Sequence, residues 1–170
     1  NIGRVYRHTS DFTKAQKYYF DALSIALKLN DPTQTSLCYN NISALYFDQK
    51  NYTQALKYGQ LCLKLGIESN TIKTQLDAYN ILSGIYIKTN DTANAIQTLN
   101  QGLVLSKTNG SQKHEAIFLS NLGVLYEGNP TKALTYKWDA KQIWDSVSPN
   151  YILAVSNFAS IGKSYLDIIN

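Results

Sequence analysis

The chain has no methionine, position 1 included, only two cysteines and three prolines in 170 residues, and no long apolar run. Each shortage excludes something. Without an opening methionine the sequence is expected to be a fragment or processed form of a longer chain. No stretch approaches the roughly 18 uninterrupted apolar residues of a membrane-spanning helix. The start, Asn1-Ile2-Gly3-Arg4, lacks the charged-then-apolar layout of a signal peptide. Cys38 and Cys62 stand too far apart in the chain to fit a metal-ligand motif, so a reduced pair in a cytoplasmic setting is expected, although the spacing alone also permits a disulfide. The charge is +4, but the sixteen Lys and Arg are scattered singly from Arg4 to Lys163, unlike the basic patch of a nucleic-acid binder. No nucleic-acid contact and no membrane insertion are therefore expected of this segment.

What remains is helical punctuation. A proline is tolerated in the first turn of a helix, where its missing N–H had no partner, and Ser, Asp or Asn just before it caps that turn. Asp31-Pro32, Asn129-Pro130 and Ser148-Pro149 all fit, and each precedes apolar residues at three- and four-residue spacing. Ser10-Asp11, Asn51 and Asp91 look like caps without proline. Polar joints lie at Glu68-Ser69-Asn70 and Thr108-Asn109-Gly110-Ser111. The resulting map has helices near 12–29, 32–49, 52–68, 71–89, 92–107, 112–127, 130–147 and 150–169, with part of another before residue 9. No segment alternates with the two-residue period of a half-buried strand.

A fixed period then emerges. Ile2-Gly3-x-x-Tyr6, Ile42-Ser43-x-x-Tyr46, Leu82-Ser83-x-x-Tyr86, Leu122-Gly123-x-x-Tyr126 and Ile161-Gly162-x-x-Tyr165 repeat one motif at an interval of roughly 40 residues. Alanine follows at Ala15, Ala55, Ala95 and Ala133, and a second small residue seven positions later at Ala22, Cys62, Gly102 and Ala140. Small residues on two antiparallel helices let the backbones approach, and the tyrosine fills the space beside them.

This signature resembles the tetratricopeptide repeat, with Tyr39, Tyr79, Leu119 and Phe158 at its leading large position and Tyr19 and Leu99 at the aromatic position of the second helix. Gly59 and Lys137 depart from that aromatic position, so looser packing is expected there. The interval of roughly 40 exceeds the family's usual length of about 34. It is similar to the lengthened repeats of kinesin light chains and of bacterial peptide-pheromone regulators, and the extra residues are expected between the second helix of one hairpin and the first of the next. The resemblance implies an all-α, right-handed superhelical solenoid over residues 1–170. Its hairpins would span about 1–29, 32–68, 71–107 and 112–147, with an unpaired helix at 150–169.

The resemblance also implies a concave surface lined by the first helix of each repeat. Carried onto this chain, the groove positions are Arg4, Arg7 and His8 in the first hairpin, and Asn40, Asn41, Ala44 and Asp48 in the second. The third supplies Asp77, Asn80, Gly84 and Lys88. The fourth supplies Ser120, Asn121, Val124 and Glu127, and the last helix Ser156, Ala159 and Lys163. Asn40 and Asn80 are equivalent, as are Asn41 and Asn121. A side-chain amide offers both donor and acceptor, which matches the backbone of an extended peptide. The dense basic set that clamps a C-terminal carboxylate is missing. Trp138 and Trp144 are read as packing residues, with an exposed partner anchor as the alternative.

No catalytic set is visible. His8 and His114 belong to no metal motif, the glycines fall at repeat positions rather than in a phosphate loop, and no cofactor is expected. Two functions stand against each other. One is a non-catalytic scaffold that binds a protein or peptide; the other is the sensory part of a bacterial signalling or transcription-regulatory protein with further domains or repeats in the parent chain.

Overall fold

The computed structural model describes residues 2–147. Eight α-helices occupy them: α1 (Ile2–His8), α2 (Phe12–Lys28), α3 (Pro32–Asp48), α4 (Tyr52–Glu68), α5 (Ile72–Lys88), α6 (Thr92–Thr108), α7 (Gln112–Leu125) and α8 (Pro130–Val147). There is no strand among the described residues. The expected helix at 150–169 and the Ser148-Pro149 cap lie outside them, as do Ser156, Phe158, Ala159 and Lys163. No described helix is long and apolar enough to cross a membrane.

The caps work as the sequence suggests at most ends. Asp11, Asp31, Asn51 and Asp91 accept from the backbone N–H three residues on, at 3.0–3.2 Å, and Asn129 does the same for Lys132 at 3.2 Å. Pro32 and Pro130 open their helices. Thr71 and Ser111 stand at the cap position without a side-chain hydrogen bond to the helix backbone.

One joint is used again and again. After α2, Asn30 N–H donates to Leu27 O and Asp31 N–H to Ala26 O, both at 3.1 Å, with Asn30 in the left-handed region at φ 49°. Those two bonds close the helix end, and the same Asp31 caps the next helix. The pattern recurs with Ser10, Lys50, Asn70 and Gly110 in the left-handed position, and Asn90 shares their positive φ. Helices α2 to α6 each have 17 residues, and three residues join each to the next. Helix and joint together are thus a unit of constant length, and two such units make one period of the repeat. The extra residues of the long repeat therefore do not form a longer connection between hairpins, as the sequence had suggested. They are helical, extending the end of each second helix and the start of each first one.

The described helices divide into two compact units, one of α1 to α5 and one of α6 to α8. In the first, α3 and α4 run antiparallel. As α3 is followed back from Ser43 to Ser36, its partner on α4 advances from Ala55 to Cys62: Ser43 Oγ donates to Ala55 O at 2.7 Å, and Cys62 Sγ to Ser36 O at 3.4 Å. Ala55 is fully buried in that contact. Ala55→Leu should lower stability by about 1–3 kcal/mol through overpacking. Calorimetric melting reads this directly, and an unshifted transition would mean the two backbones are not in close contact.

Complementary volumes hold each pair together. Where the first helix carries glycine, a long side chain from the second lies on it. A Cβ on Gly3 would stand 2.6 Å from the Tyr19 ring, and one on Gly123 would stand 2.6 Å from Lys137 Cγ. Where the first helix carries Ser43, the second carries Gly59. Leu82 of α5 fills the room beside Gly59, its Cδ2 only 2.8 Å from where a Cβ would sit. The looser packing expected at Gly59 and Lys137 is thus absent; a neighbour takes up the volume in each case. Lys137 is 2% exposed and lays its stem on Gly123, with Nζ 3.3 Å from Glu127 Oε1.

Three other expectations change. Ala22 is exposed, whereas Cys62, Gly102 and Ala140 at the equivalent position are buried. Tyr46 is only half-buried, stacked on Tyr58 with centroids 5.7 Å apart; the fully buried aromatics are Tyr19 and Phe118. The two tryptophans divide, Trp144 entering a core with Ala116, Leu119 and Ala140 while Trp138 is exposed under Lys141.

Candidate functional site

In the first unit the groove positions fall on α1, α3 and α5, and α3 is in contact with α5. Arg4 and His8 are exposed; Arg7 is half-buried, with Nε 3.2 Å from Asp48 Oδ2 but without the alignment of a hydrogen bond. On α3, Asn40 and Ala44 are half-buried and Asp48 partly exposed, whereas Asn41 is buried at 8% exposure. On α5, Asp77 and Asn80 are half-buried and Lys88 exposed, and nothing comes within 4 Å of a Cβ built on Gly84, so the face is open there.

Between α3 and α5 lies a cavity of about 230 Å³ with both Asn40 and Asp77 in its lining. Asn40 Oδ1 is shielded from solvent and has no hydrogen-bond partner. A buried acceptor left unpaired is costly, so such a group is normally satisfied. Two of its neighbours are already engaged. Ser36 Oγ donates to Thr33 O at 2.8 Å and lies 3.3 Å from Thr74 Oγ1. Asp77 accepts from Lys73 Nζ at 2.8 Å, one helical turn back. Leu37 adds an apolar edge and Cys62 part of the floor. Burial pushes the Cys62 thiol up to about 12, with Asp77 adding to the rise and Lys73 opposing it. At neutral pH the thiol stays protonated, a small wall residue rather than a nucleophile or metal ligand.

The sequence pointed to Asn40 and Asp77 but not to Thr33, Thr71, Lys73 or Thr74. These stand before the leading residues Tyr39 and Tyr79, in turns that the shorter family pattern does not contain. A usable signal was the cap at Asp31, which starts α3 two helical turns ahead of Tyr39.

In the second unit, Ser120, Asn121, Val124 and Glu127 come from α7 and the turn after it. Ser120 Oγ donates to Ala116 O at 2.8 Å, Asn121 is half-buried, Val124 is exposed, and Glu127 meets Lys137. Lys163 lies outside the described residues. A polar cleft of about 380 Å³, with Lys107, Glu115 and Asp139 in its walls, opens on this unit. It is equivalent, position by position, to a more apolar cleft of about 420 Å³ in the first unit, where Leu27, Thr35 and Leu61 stand in the walls. The lengthened helix ends create both. Among the described residues, no three of His, Cys, Asp and Glu are grouped to hold a metal ion.

By sequence alone the chain matches no curated protein. Solved structures do share its fold. BtubC (BKLC) from P. vanneervenii superposes with a TM-score of 0.84 at 21% identity, over 96% of this chain and 68% of that one. The apo form of RapI gives 0.86 at 17% identity, over 99% of this chain and 62% of RapI. A signal-transduction ATPase of the STAND class with a tetratricopeptide-repeat sensor, from Pyrococcus horikoshii, gives 0.83 at 20% identity, over 97% of this chain but only 26% of that one. Family models described as tetratricopeptide repeat match residues 1–68 and 76–109. With its constant helix units, paired small residues and this double match, the chain belongs to the tetratricopeptide-repeat family.

Proposed function

We propose that this chain is a non-catalytic scaffold that holds an extended peptide of another protein against the exposed faces of its first helices. The observation that carries the reading is the cavity of about 230 Å³ between α3 and α5, lined by Asn40, Leu37 and Asp77 of two successive first helices. A side-chain amide among the lining residues offers both a donor and an acceptor to an extended peptide backbone. Asn80 repeats the amide one period on, and the bare surface at Gly84 leaves the peptide backbone room to approach.

The test is a screen of peptides and candidate partner proteins against the purified chain, followed by Asn40→Ala with Asn80→Ala. If each lost amide leaves a buried peptide group unpaired, about 1–3 kcal/mol is lost per site, so the double variant should bind at least fivefold more weakly with an unchanged melting temperature. Undiminished affinity would make the asparagines structural, and failure of every candidate to bind would end the scaffold reading.

A second reading makes the chain a sensor whose occupied groove biases an attached output domain. It draws support from the likeness to the ATPase with a tetratricopeptide-repeat sensor, in which the matching part is about a quarter of the chain. The sequence flanking residues 1–170 in the parent protein separates the two: an output domain there favours the sensor, further repeats the scaffold.

A further inference from the structure

We infer that Asn109 is a self-modifying site, which loses its carboxamide by spontaneous deamidation through Gly110 and thereby unfastens the joint between α6 and α7. Asn109 ends α6, and Gly110 holds the left-handed position after it at φ 65°. Both are exposed, and nothing comes within 4 Å of a Cβ built on Gly110. Asn109 is the only asparagine of the chain followed by glycine. The other left-handed joints, alike in backbone, are closed to this chemistry, because the residue in front is Thr9, Leu29, Gln49, Ser69 or Thr89.

The backbone nitrogen of Gly110 gives its proton to a base in the solvent and attacks Cγ of Asn109. A C–N bond forms there, the carboxamide C–N bond breaks, and ammonia leaves with a proton taken back from the solvent. Water then opens the resulting five-membered imide, at Cγ to give aspartate or at the backbone carbonyl of residue 109 to give isoaspartate. Glycine has no side chain to hinder the attack. Two bonds of the folded joint oppose it: Asn109 Nδ2 donates to Leu105 O at 2.9 Å, and Gly110 N–H to Lys107 O at 3.2 Å. Both lie at a helix end, where local opening costs little, so the reaction proceeds as the turn frays.

Either product spoils the joint. Leu105 O can only accept, so it is the amide nitrogen that faces it; an aspartate sets acceptor against acceptor and adds negative charge at the negative end of α6. Isoaspartate adds a carbon to the backbone of a joint that has three residues at every step from α1 to α7. The contact this joint positions has little slack. A Cβ on Gly102 of α6 would already stand 2.5 Å from the Phe118 ring of α7, so α7 cannot shift without losing that fit.

The experiment ages the purified 170-residue chain in mildly alkaline buffer and reads the tryptic peptide 108–113, freed by cleavage after Lys107 and Lys113, by mass spectrometry. Asn109 should show the mass change of an amide turned acid ahead of every other asparagine, and an enzyme that methylates isoaspartate should label the same peptide. The aged chain should melt at a lower temperature than the fresh one. Asn109→Gln and Gly110→Lys should each abolish both the conversion and the loss of melting temperature on ageing. Lysine already holds the equivalent position at Lys50, with φ 59°, so Gly110→Lys keeps the joint and blocks only the chemistry. An Asn109 that stays intact, earlier conversion at another asparagine, undiminished conversion in Gly110→Lys, or a converted chain that melts like the fresh one would each overturn the inference.

Discussion

Phe118→Ala should destabilise the second unit by about 3–5 kcal/mol, the range for emptying a buried aromatic site. The ring is fully buried on α7, and Gly102 of α6 is what makes room for it. A Cβ there would stand 2.5, 2.7 and 2.8 Å from three of its carbons, Cζ, Cε2 and Cε1. At the equivalent positions of the preceding repeat, Cys62 and Ala78 divide the volume more evenly. The pair is therefore coupled. Gly102→Ala alone should be destabilising, and far less so in a Phe118→Leu background, where the shorter side chain gives way. Thermal melts of the two singles and the double give the coupling; additive effects would mean that ring and glycine are not in contact. The His114 ring, 6.3 Å from that of Phe118, should report the same loss as a changed NMR shift.

Tyr19→Ala should cost a similar amount, about 3–5 kcal/mol, in the first unit. Tyr19 is 1% exposed, lies across Gly3 of α1, and joins Ala15, Leu23, Ile42 and Leu45 in one core. Its hydroxyl is buried with no hydrogen-bond partner. Burial raises its pKa, with Arg7 and Arg4 opposing the rise. Tyr19→Phe should consequently be neutral or stabilising, since it removes an unpaired polar group while keeping the ring. Chemical denaturation of both variants separates ring from hydroxyl. A Tyr19→Phe loss as large as that of Tyr19→Ala would show that the hydroxyl holds the site together.

How much of this was legible beforehand depends on how local the cause is. Asp31 followed by Pro32 states where α3 begins, because a cap acts within one turn, and the structure starts the helix there. The regular recurrence of small residue and tyrosine states the repeat, because every hairpin solves the same packing problem. Even the joint could have been read in part. Asn30, Asn70, Asn90 and Gly110 fall at whole or half periods of the repeat and are residues that tolerate a left-handed backbone, but Ser10 and Lys50 carry no such mark, and there the backbone is imposed by the two helices it connects.

The candidate site was legible only at its edge. Asn40 and Asp77 follow from the family pattern, whereas Thr33, Lys73 and Thr74 sit in turns absent from a repeat of the usual length, and their meeting depends on α3 and α5 lying side by side.

The sequence by itself determined the helices of the described residues, most of their caps, the period and the family, since those rest on interactions within a turn or between adjacent helices of one repeated kind. Only the tertiary structure decided which residues share space. Lys137 could take an aromatic's place because Gly123 lies under it, Leu82 could fill the room at Gly59, and Asn40 Oδ1 was buried without a partner. Volume and hydrogen-bond capacity are shared between side chains distant in sequence, so their balance exists only once the helices are packed.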